Sequence, residues 1–287
     1  MSRTLVIHQV DAFTDTRFTG NPAGVVLGAD GLDETTMLAI ARELNNADTA
    51  FVSAPDGGDH DLRVRFFTPR TEAGFVGHAT LAVHAVLTAT EGARRRRQKG
   101  RTGIVEVASV DGQFEIRLPR APMGRSVQGA ELAAVCEALG LAQDALDSRC
   151  PARIAGSGST RLLIGVEDGR TLATLTPDLA RLAALSASVG APGYFLFSRR
   201  PAVPDCTLES RMFCPALGIP EDPVSGNAHG MLAVHLDALG LLPGGRLRGA
   251  QGHHLGRPGR VEVELTGDGQ LALRGRACPV FETRLPV

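Results

Sequence analysis

The tetrapeptide Leu-Ala-Val-His occurs twice in the chain, at residues 81–84 and 232–235, and the residues ahead of each copy match as well. Arg65-Phe66-Phe67-Thr68-Pro69 precedes the first copy and Arg211-Met212-Phe213-Cys214-Pro215 precedes the second, so both read Arg-x-Phe-x-Pro. Between these blocks lie Gly77-His78-Ala79 in one copy and Gly226-Asn227-Ala228 in the other. Each half thus offers a strand, a proline-containing loop with acidic residues, a turn that opens on glycine, and an apolar helix. Self-similarity on this scale points to two α/β units that arose by duplication and are related by approximate symmetry.

Hydrophobic patterning supplies the elements. Runs at 5–13, 23–27, 49–53, 62–68, 103–108 and 113–118 read as strands of the first half. Runs at 161–166, 194–197, 207–213, 260–265 and 271–276 read as strands of the second. A helix is expected over 33–45, begun by Asp33 as N-cap, with Met37, Ile40, Ala41 and Leu44 on one face. Segments 77–90 and 227–239 are apolar almost all round, which predicts helices buried between layers. Segments 129–139 and 178–188 read as surface helices. Paired prolines in Pro119-Arg120-Ala121-Pro122 mark the linker, and the basic run 94–97 with Lys99 and Arg101 reads as a solvated loop.

Composition removes several function classes. The formal net charge is -1, so no general attraction to nucleic acid or a membrane surface is expected. The chain has no Trp and one Tyr, which disfavours base-stacking platforms. Its five cysteines form no CxxC pair and no Cys/His ligand set, so neither a disulfide framework nor a metal site is expected. No apolar stretch is long enough to span a bilayer, and the N-terminal segment lacks the apolar core of a signal peptide. Cytoplasm is the expected compartment.

Helices that open on glycine and are buried have a chemical use. Their first backbone N–H groups lack intrahelical partners and carry partial positive charge, which suits a carboxylate or phosphate. Gly77 and Gly226 occupy equivalent places in the repeat, so a small anionic substrate is the expected partner. Proton-transfer candidates near these turns are Asp48, Glu72 and Asp222, with His78 at a helix start as a further polar group.

At these residues the chain resembles the PhzF-like (phenazine biosynthesis F) family, which shares its fold with diaminopimelate epimerase. The matching blocks are Asp11-Ala12-Phe13, Phe18 to Val26 with Asn21, Ile40 to Asn45, Thr49 to Val52, Arg65 to Pro69, Glu72, and Phe75 to Leu81. In the second half they are Ser210 to Phe213, Glu221 to Gly226, Ala228-His229, Gln251-Gly252 and Gly256-Arg257-Pro258. The resemblance implies an α+β fold of two pseudo-symmetric half-domains, each a sheet wrapped round a central helix, with the active site between them. One half would span 1–118 with 277–287 crossing back, the other 119–276. It further implies a cofactor-independent, dimeric isomerase, similar to trans-2,3-dihydro-3-hydroxyanthranilate isomerase, in which a carboxylate moves a proton on a small carboxylate-bearing substrate.

The carboxylate position of the family's Asn-x-Ser-Glu-Thr pattern is Asp48 here, within Asn45-Asn46-Ala47-Asp48-Thr49. Burial is expected to raise its pKa. Substrate-binding residues implied by the resemblance are Asn21, Gly77, His78, Asp222, Ser225, Gly226, Asn227 and Ala228. Two departures stand out. Asp48 is shorter than Glu by one methylene, about 1.5 Å, and a misplacement of that size can cost on the order of a hundredfold in rate. Asn227 replaces the family's Ser. They leave open an alternative, a non-catalytic or weakened anion-binding homologue. A thiol-type epimerase is a further alternative, but it would place Cys before each helix-opening Gly, where Val76 and Ser225 stand.

Overall fold

The computed structural model describes residues 3–157 and 159–287. The chain forms two compact units, one running to Leu118 and including Ala272–Val287, the other spanning Pro119–Leu271.

In the first unit, strands β1 (Thr4–Ala12) and β2 (Asn21–Leu27) lead to helix α1 (Glu34–Leu44) and strand β3 (Asp48–Ser53). Strands β4 (Leu62–Phe67) and β5 (Glu72–Ala73) precede helix α2 (Gly77–Glu91), followed by β6 (Arg96–Gly100), β7 (Gly103–Val110) and β8 (Gln113–Pro119). The sheet runs β1-β2-β3-β4-β6-β7-β8, with the short β5 also on β4. The β2–β3 and β4–β6 pairs are parallel, which requires a crossover, and α1 and α2 supply one each. Every residue of α2 from Gly77 to Leu87 is buried, as its all-round apolar sequence predicts. Helix α1 shows the expected cap, with Asp33 Oδ1 accepting from the Thr36 N–H at 2.7 Å, and it ends on Asn45 in the left-handed conformation. Its buried face of Met37, Ile40 and Ala41 packs with Leu5, Ile7, Val26, Phe51 and Phe67.

The basic run corrects a sequence expectation. Residues 96–100 form a strand, not a solvated loop, and they alternate Arg96 in, Arg97 out, Gln98 in. Arg96 is fully buried and its Nη2 donates to the Leu87 and Gly92 carbonyls and to Glu91. A guanidinium at the C-terminal end of α2 reaches the Gly92 carbonyl just past the last helical turn and complements the helix dipole.

In the second unit β9 (Met123–Ser126), α3 (Gly129–Leu139), β10 (Arg153–Ala155) and β11 (Arg161–Val166) come first. They are followed by α4 (Gly169–Ala173), α5 (Leu179–Val189), β12 (Gly193–Ser198), β13 (Leu208–Cys214) and β14 (Ile219–Asp222). Helix α6 (Gly226–Ala238), β15 (Arg246–Gln251) and β16 (Gly259–Leu265) complete the run; β17 (Gln270–Gly275) carries the chain back into the first unit, where β18 (Ala277–Pro286) pairs with β1. The sheet runs β9-β10-β11-β12-β13-β15-β16, with β14 on β13. Here β11–β12 and β13–β15 are the parallel pairs. The succession is that of the first unit: a parallel pair, a hairpin strand, a buried helix, then a second parallel pair. Helices α3 and α5 each bury one face against the outer side of this sheet.

The duplication extends to side chains. Arg65 forms a two-pronged pair with Glu72 at 2.8 and 2.9 Å and lies 5.0 Å over the Phe67 ring. Arg211 pairs with Glu221 at 2.8 Å on both prongs and lies 4.9 Å over Phe213. The Arg-x-Phe spacing puts both side chains on one face of a strand, where a guanidinium can stack on a ring. The two pairs differ in burial, with the arginine side chains 30% and 10% exposed respectively. Arg211 also donates to the Leu172 carbonyl at 2.7 Å. Glu221→Gln should therefore cost about 3–5 kcal/mol, because it strands a buried cation. Glu72→Gln, in the better-solvated pair, should cost about 1 kcal/mol or less. Urea denaturation of the two variants side by side measures the difference; equal costs would contradict the burial argument.

Candidate active site

In the first unit Asp48 is the first residue of β3 and sits opposite Ala23 of β2. Asn21 opens β2 two residues earlier and is wholly buried. The loop before it is tightly specified. Gly20 has φ 63°, and a Cβ there would lie 2.2 Å from the Ala12 carbonyl oxygen. Phe18, also at positive φ, donates its N–H to Asp11 Oδ2 at 2.6 Å.

Helix α2 begins at Gly77 after Val76, which is extended and has no side chain able to cap. The N–H groups of Gly77, His78 and Ala79 are consequently without intrahelical acceptors. His78 lies in this first turn with its Nε2 3.7 Å from Asp48 Oδ2, and both residues are buried, at 7% and 8% exposure. That separation is too long for a direct hydrogen bond. Burial pushes the His78 imidazole down to about 4, so at neutral pH it meets the Asp48 carboxylate as a neutral dipole and not as a cation.

A buried polar chain holds this turn from below. Thr80 Oγ1 donates to the Val76 carbonyl at 2.9 Å, Gln98 Nε2 donates to Thr80 Oγ1 at 3.2 Å, and His84 Nε2 lies 3.1 Å from Gln98 Oε1. Since Gln98 Oε1 can only accept, His84 carries its proton on Nε2.

In the second unit Asp222 ends β14 and is 9% exposed. Its carbonyl accepts from Gln251 Nε2 at 2.7 Å, while Gln251 Oε1 accepts from the Ser225 N–H at 3.1 Å. Gln251 thus pins the Asp222–Ser225 turn by both ends of one amide. Ser225 caps α6, its Oγ accepting from the Ala228 N–H at 3.3 Å. The amides of Gly226 and Asn227 are the ones left without an intrahelical acceptor. Behind them His229 is fully buried, its Nδ1 2.7 Å from the Ser225 carbonyl, and burial holds its pKa down to about 4.

The structure thus joins Asp48 to His78, and Asp222 to Ser225 through Gln251. Glu72 is tied up by Arg65, whose hydrogen bonds hold its pKa below the usual carboxylate range. A committed acceptor of that kind is a poor proton carrier. Ala228, expected to offer its amide to a substrate, instead uses it on the Ser225 cap. The N-cap places that a thiol mechanism would fill with Cys are Val76 and Ser225. The nearest thiol in sequence, Cys214, is buried and pushed up to about 12, out of reach as a thiolate base. Sequence reasoning assigned no role to Gln98, Gln251 or His229. The Gln251-Gly252 and Ala228-His229 blocks were the available signals for two of them, whereas Gln98 was hidden in a charged run. Among the described residues no group of three His, Cys, Asp or Glu side chains could hold a metal ion, and no helix is long and apolar enough to cross a membrane.

Comparison with known proteins agrees with this architecture. Residues 10–283 match the family of phenazine biosynthesis-like proteins, PhzC-PhzF. The chain is 37% identical to the uncharacterized isomerase YddE of Escherichia coli, over 91% of this chain and 90% of that protein. It is 31% identical to the trans-2,3-dihydro-3-hydroxyanthranilate isomerase of Pseudomonas aeruginosa, over 93% of this chain and 97% of the relative. The crystal structure of the PhzF-family phenazine biosynthesis protein of Bacillus anthracis superposes with a TM-score of 0.86 at 22% identity, covering 99% of this chain and 100% of that one. The chain therefore belongs to the phenazine biosynthesis-like PhzC-PhzF family, and it is an isomerase of that family.

Proposed function

We propose that the chain isomerises a small, carboxylate-bearing unsaturated substrate by moving one proton, with Asp48 as the group that carries it. The observation behind this reading is the buried Asp48–His78 pair beside the side-chain-uncapped start of α2. In the forward step the Asp48 carboxylate takes a proton from a carbon next to a double bond, and the C–H electron pair moves into conjugation. The protonated Asp48, its acidic hydrogen having exchanged with solvent, then delivers a proton to the far end of the conjugated system. Atoms and charge balance within the substrate, and no oxidant or reductant is needed.

The amides of Gly77, His78 and Ala79 suit the charge that develops on a carboxylate or enolate-like oxygen. Neutral His78 can donate or accept a hydrogen bond without adding a competing charge beside Asp48. We assign substrate-holding roles also to Asn21 and, in the second unit, to Asp222, Ser225, Asn227 and the amide of Gly226, with Ala228 acting through its cap to Ser225.

The first compound to test is trans-2,3-dihydro-3-hydroxyanthranilate, the substrate in the name of the Pseudomonas relative. Incubation in deuterated water, followed by NMR of the product, separates the chemistries. A shifted double bond with deuterium at the accepting carbon is the expected result. Exchange with inversion at a single carbon would indicate an epimerase and would overturn the assignment.

A further inference from the structure

We propose that Arg161 is a substrate-binding residue, its guanidinium taking a carboxylate of the substrate at the place in the second unit that corresponds to Asp48 in the first. The inference rests on the reading that the chain isomerises a carboxylate-bearing compound, and it adds to that reading a cation of the second unit.

Three registers fix the correspondence. Helix α1 ends on Asn45 in the left-handed conformation, and Asp48 stands three residues on; α5 ends likewise on Gly190, and Gly193 stands three residues on. Across the next strand Thr49 faces Phe67 and Tyr194 faces Phe213, the two phenylalanines of the Arg-x-Phe repeat. The residue before each is again Asp48 or Gly193. On the other side, Ala23 lies beside Asp48 in the parallel pair β2–β3, and Arg161 lies beside Gly193 in β11–β12. The second unit therefore has no side chain where the first has its acid, and it has arginine where the first has alanine.

That arginine fills the space. A Cβ on Gly193 would lie 2.5 Å from Arg161 Cδ and 2.8 Å from its Nε, with Cys214 Sγ also at 2.8 Å, so only glycine lets the arginine lie across the start of β12. Phe195, two residues along, stands edge-on to His229 of α6 with ring centroids 5.1 Å apart. Side chains two apart share a face of a strand, so Gly193 and its neighbour Arg161 belong to the α6 face, as Asp48 belongs to the α2 face beside His78. The guanidinium is half-buried and held at one nitrogen, Nη1 donating to Ser159 Oγ at 3.0 Å and to the Thr160 carbonyl at 2.8 Å. Among the described residues Nε and Nη2 have no acceptor, and no carboxylate forms an ion pair with Arg161. Two parallel N–H groups of such a fork are what a carboxylate binds, and that edge is the one left over. Burial pushes the adjoining Cys214 thiol up to about 12, while Arg161 acts on it downward and Asp222 upward. Arg161 thus shares a neighbourhood with Asp222.

Affinity for the charged and uncharged forms of one ring tests this without turnover. In titration calorimetry of the full chain, anthranilate should bind the wild type more tightly than anthranilamide, which lacks the negative charge. Arg161→Gln should weaken anthranilate by about tenfold to a hundredfold, the range for a hydrogen bond to a charged group, and leave anthranilamide unchanged. Arg161→Lys keeps the charge without the fork and should recover part of the affinity; circular dichroism confirms that each variant is folded. Undiminished anthranilate binding by Arg161→Gln, or an equal loss for both compounds, would overturn the role of Arg161 and leave proton transfer at Asp48 untouched. A wild type that binds neither compound at millimolar concentration, or both equally, would overturn the carboxylate reading itself and the role of Arg161 with it.

Discussion

Replacing Asp48 with Asn should lower kcat by about three orders of magnitude or more, because a positioned general base is worth about 10²–10⁴ and no other buried carboxylate of the first unit is free to substitute. Glu72, the other acidic candidate there, is committed to Arg65. Asn keeps the size and hydrogen-bonding capacity of Asp and removes only the ionisable group. KM should therefore change little, and thermal stability should hold. His78→Gln should behave differently. It keeps polar contact with a substrate but alters the neighbour of Asp48, so both kcat and KM should move. A loss in the Asn variant that appeared wholly in KM would mean that Asp48 binds and does not carry the proton.

The second large effect is on acid stability. His78, His84 and His229 are each held down to about 4 by burial, whereas an unfolded histidine titrates near 6.5. Between those values the unfolded chain binds more protons than the folded one. The sign follows from linkage: this contribution to stability is fully present above about pH 6.5 and is lost as pH falls through 4. With three such groups the slope approaches about 4 kcal/mol per pH unit in the steepest part, large against a total stability of about 5–15 kcal/mol. Urea midpoints measured from pH 7.5 to 4.5 should fall steeply below pH 6.5. His84→Gln, which removes one of the three imidazoles, should flatten the slope by about a third. A midpoint that stayed level down to pH 5 would show that these imidazoles are not buried in neutral form.

Periodicity and repetition foretold much of this fold, and the reasons are local. The two central helices announced themselves because an element covered on all sides must be apolar on all sides. Helix α1 was readable from Asp33 and a single apolar stripe. The Arg-x-Phe repeats marked equivalent strands, and each proved to stack its guanidinium on its own ring. Strand β6 was not readable in this way. Arg96 and Gln98 are buried because the end of α2 and the Thr80–His84 pair supply their hydrogen bonds, and such partners are invisible in a local run of charges. Strands β14 and β15 were missed for a related reason, since Pro220-Glu221-Asp222 and Arg246-Leu247-Arg248 lack an apolar pattern and gain their places through pairing with β13.

The candidate site divides similarly. Glycine at a helix start pointed to the anion-receptive turns, and sequence order alone left Asp48, Glu72 and Asp222 as equal candidates. Family resemblance favoured Asp48. The structure adds that His78 lies beside it, while Glu72 is engaged elsewhere. Polar side chains that act on the backbone, such as Gln251 bridging Asp222 and Ser225, depend on tertiary contacts with no spacing rule.

Isotope tracing at the substrate carbon probes the role of position 48 more closely than any other measurement. Wild-type protein and Asp48→Asn, each first shown by calorimetry to bind the same carboxylate-bearing diene, would be incubated with it in deuterated water and followed by NMR. Deuterium entering the accepting carbon with the wild type and none with the variant is the predicted outcome. Equal labelling by both proteins would show that the hydrogen travels by another group.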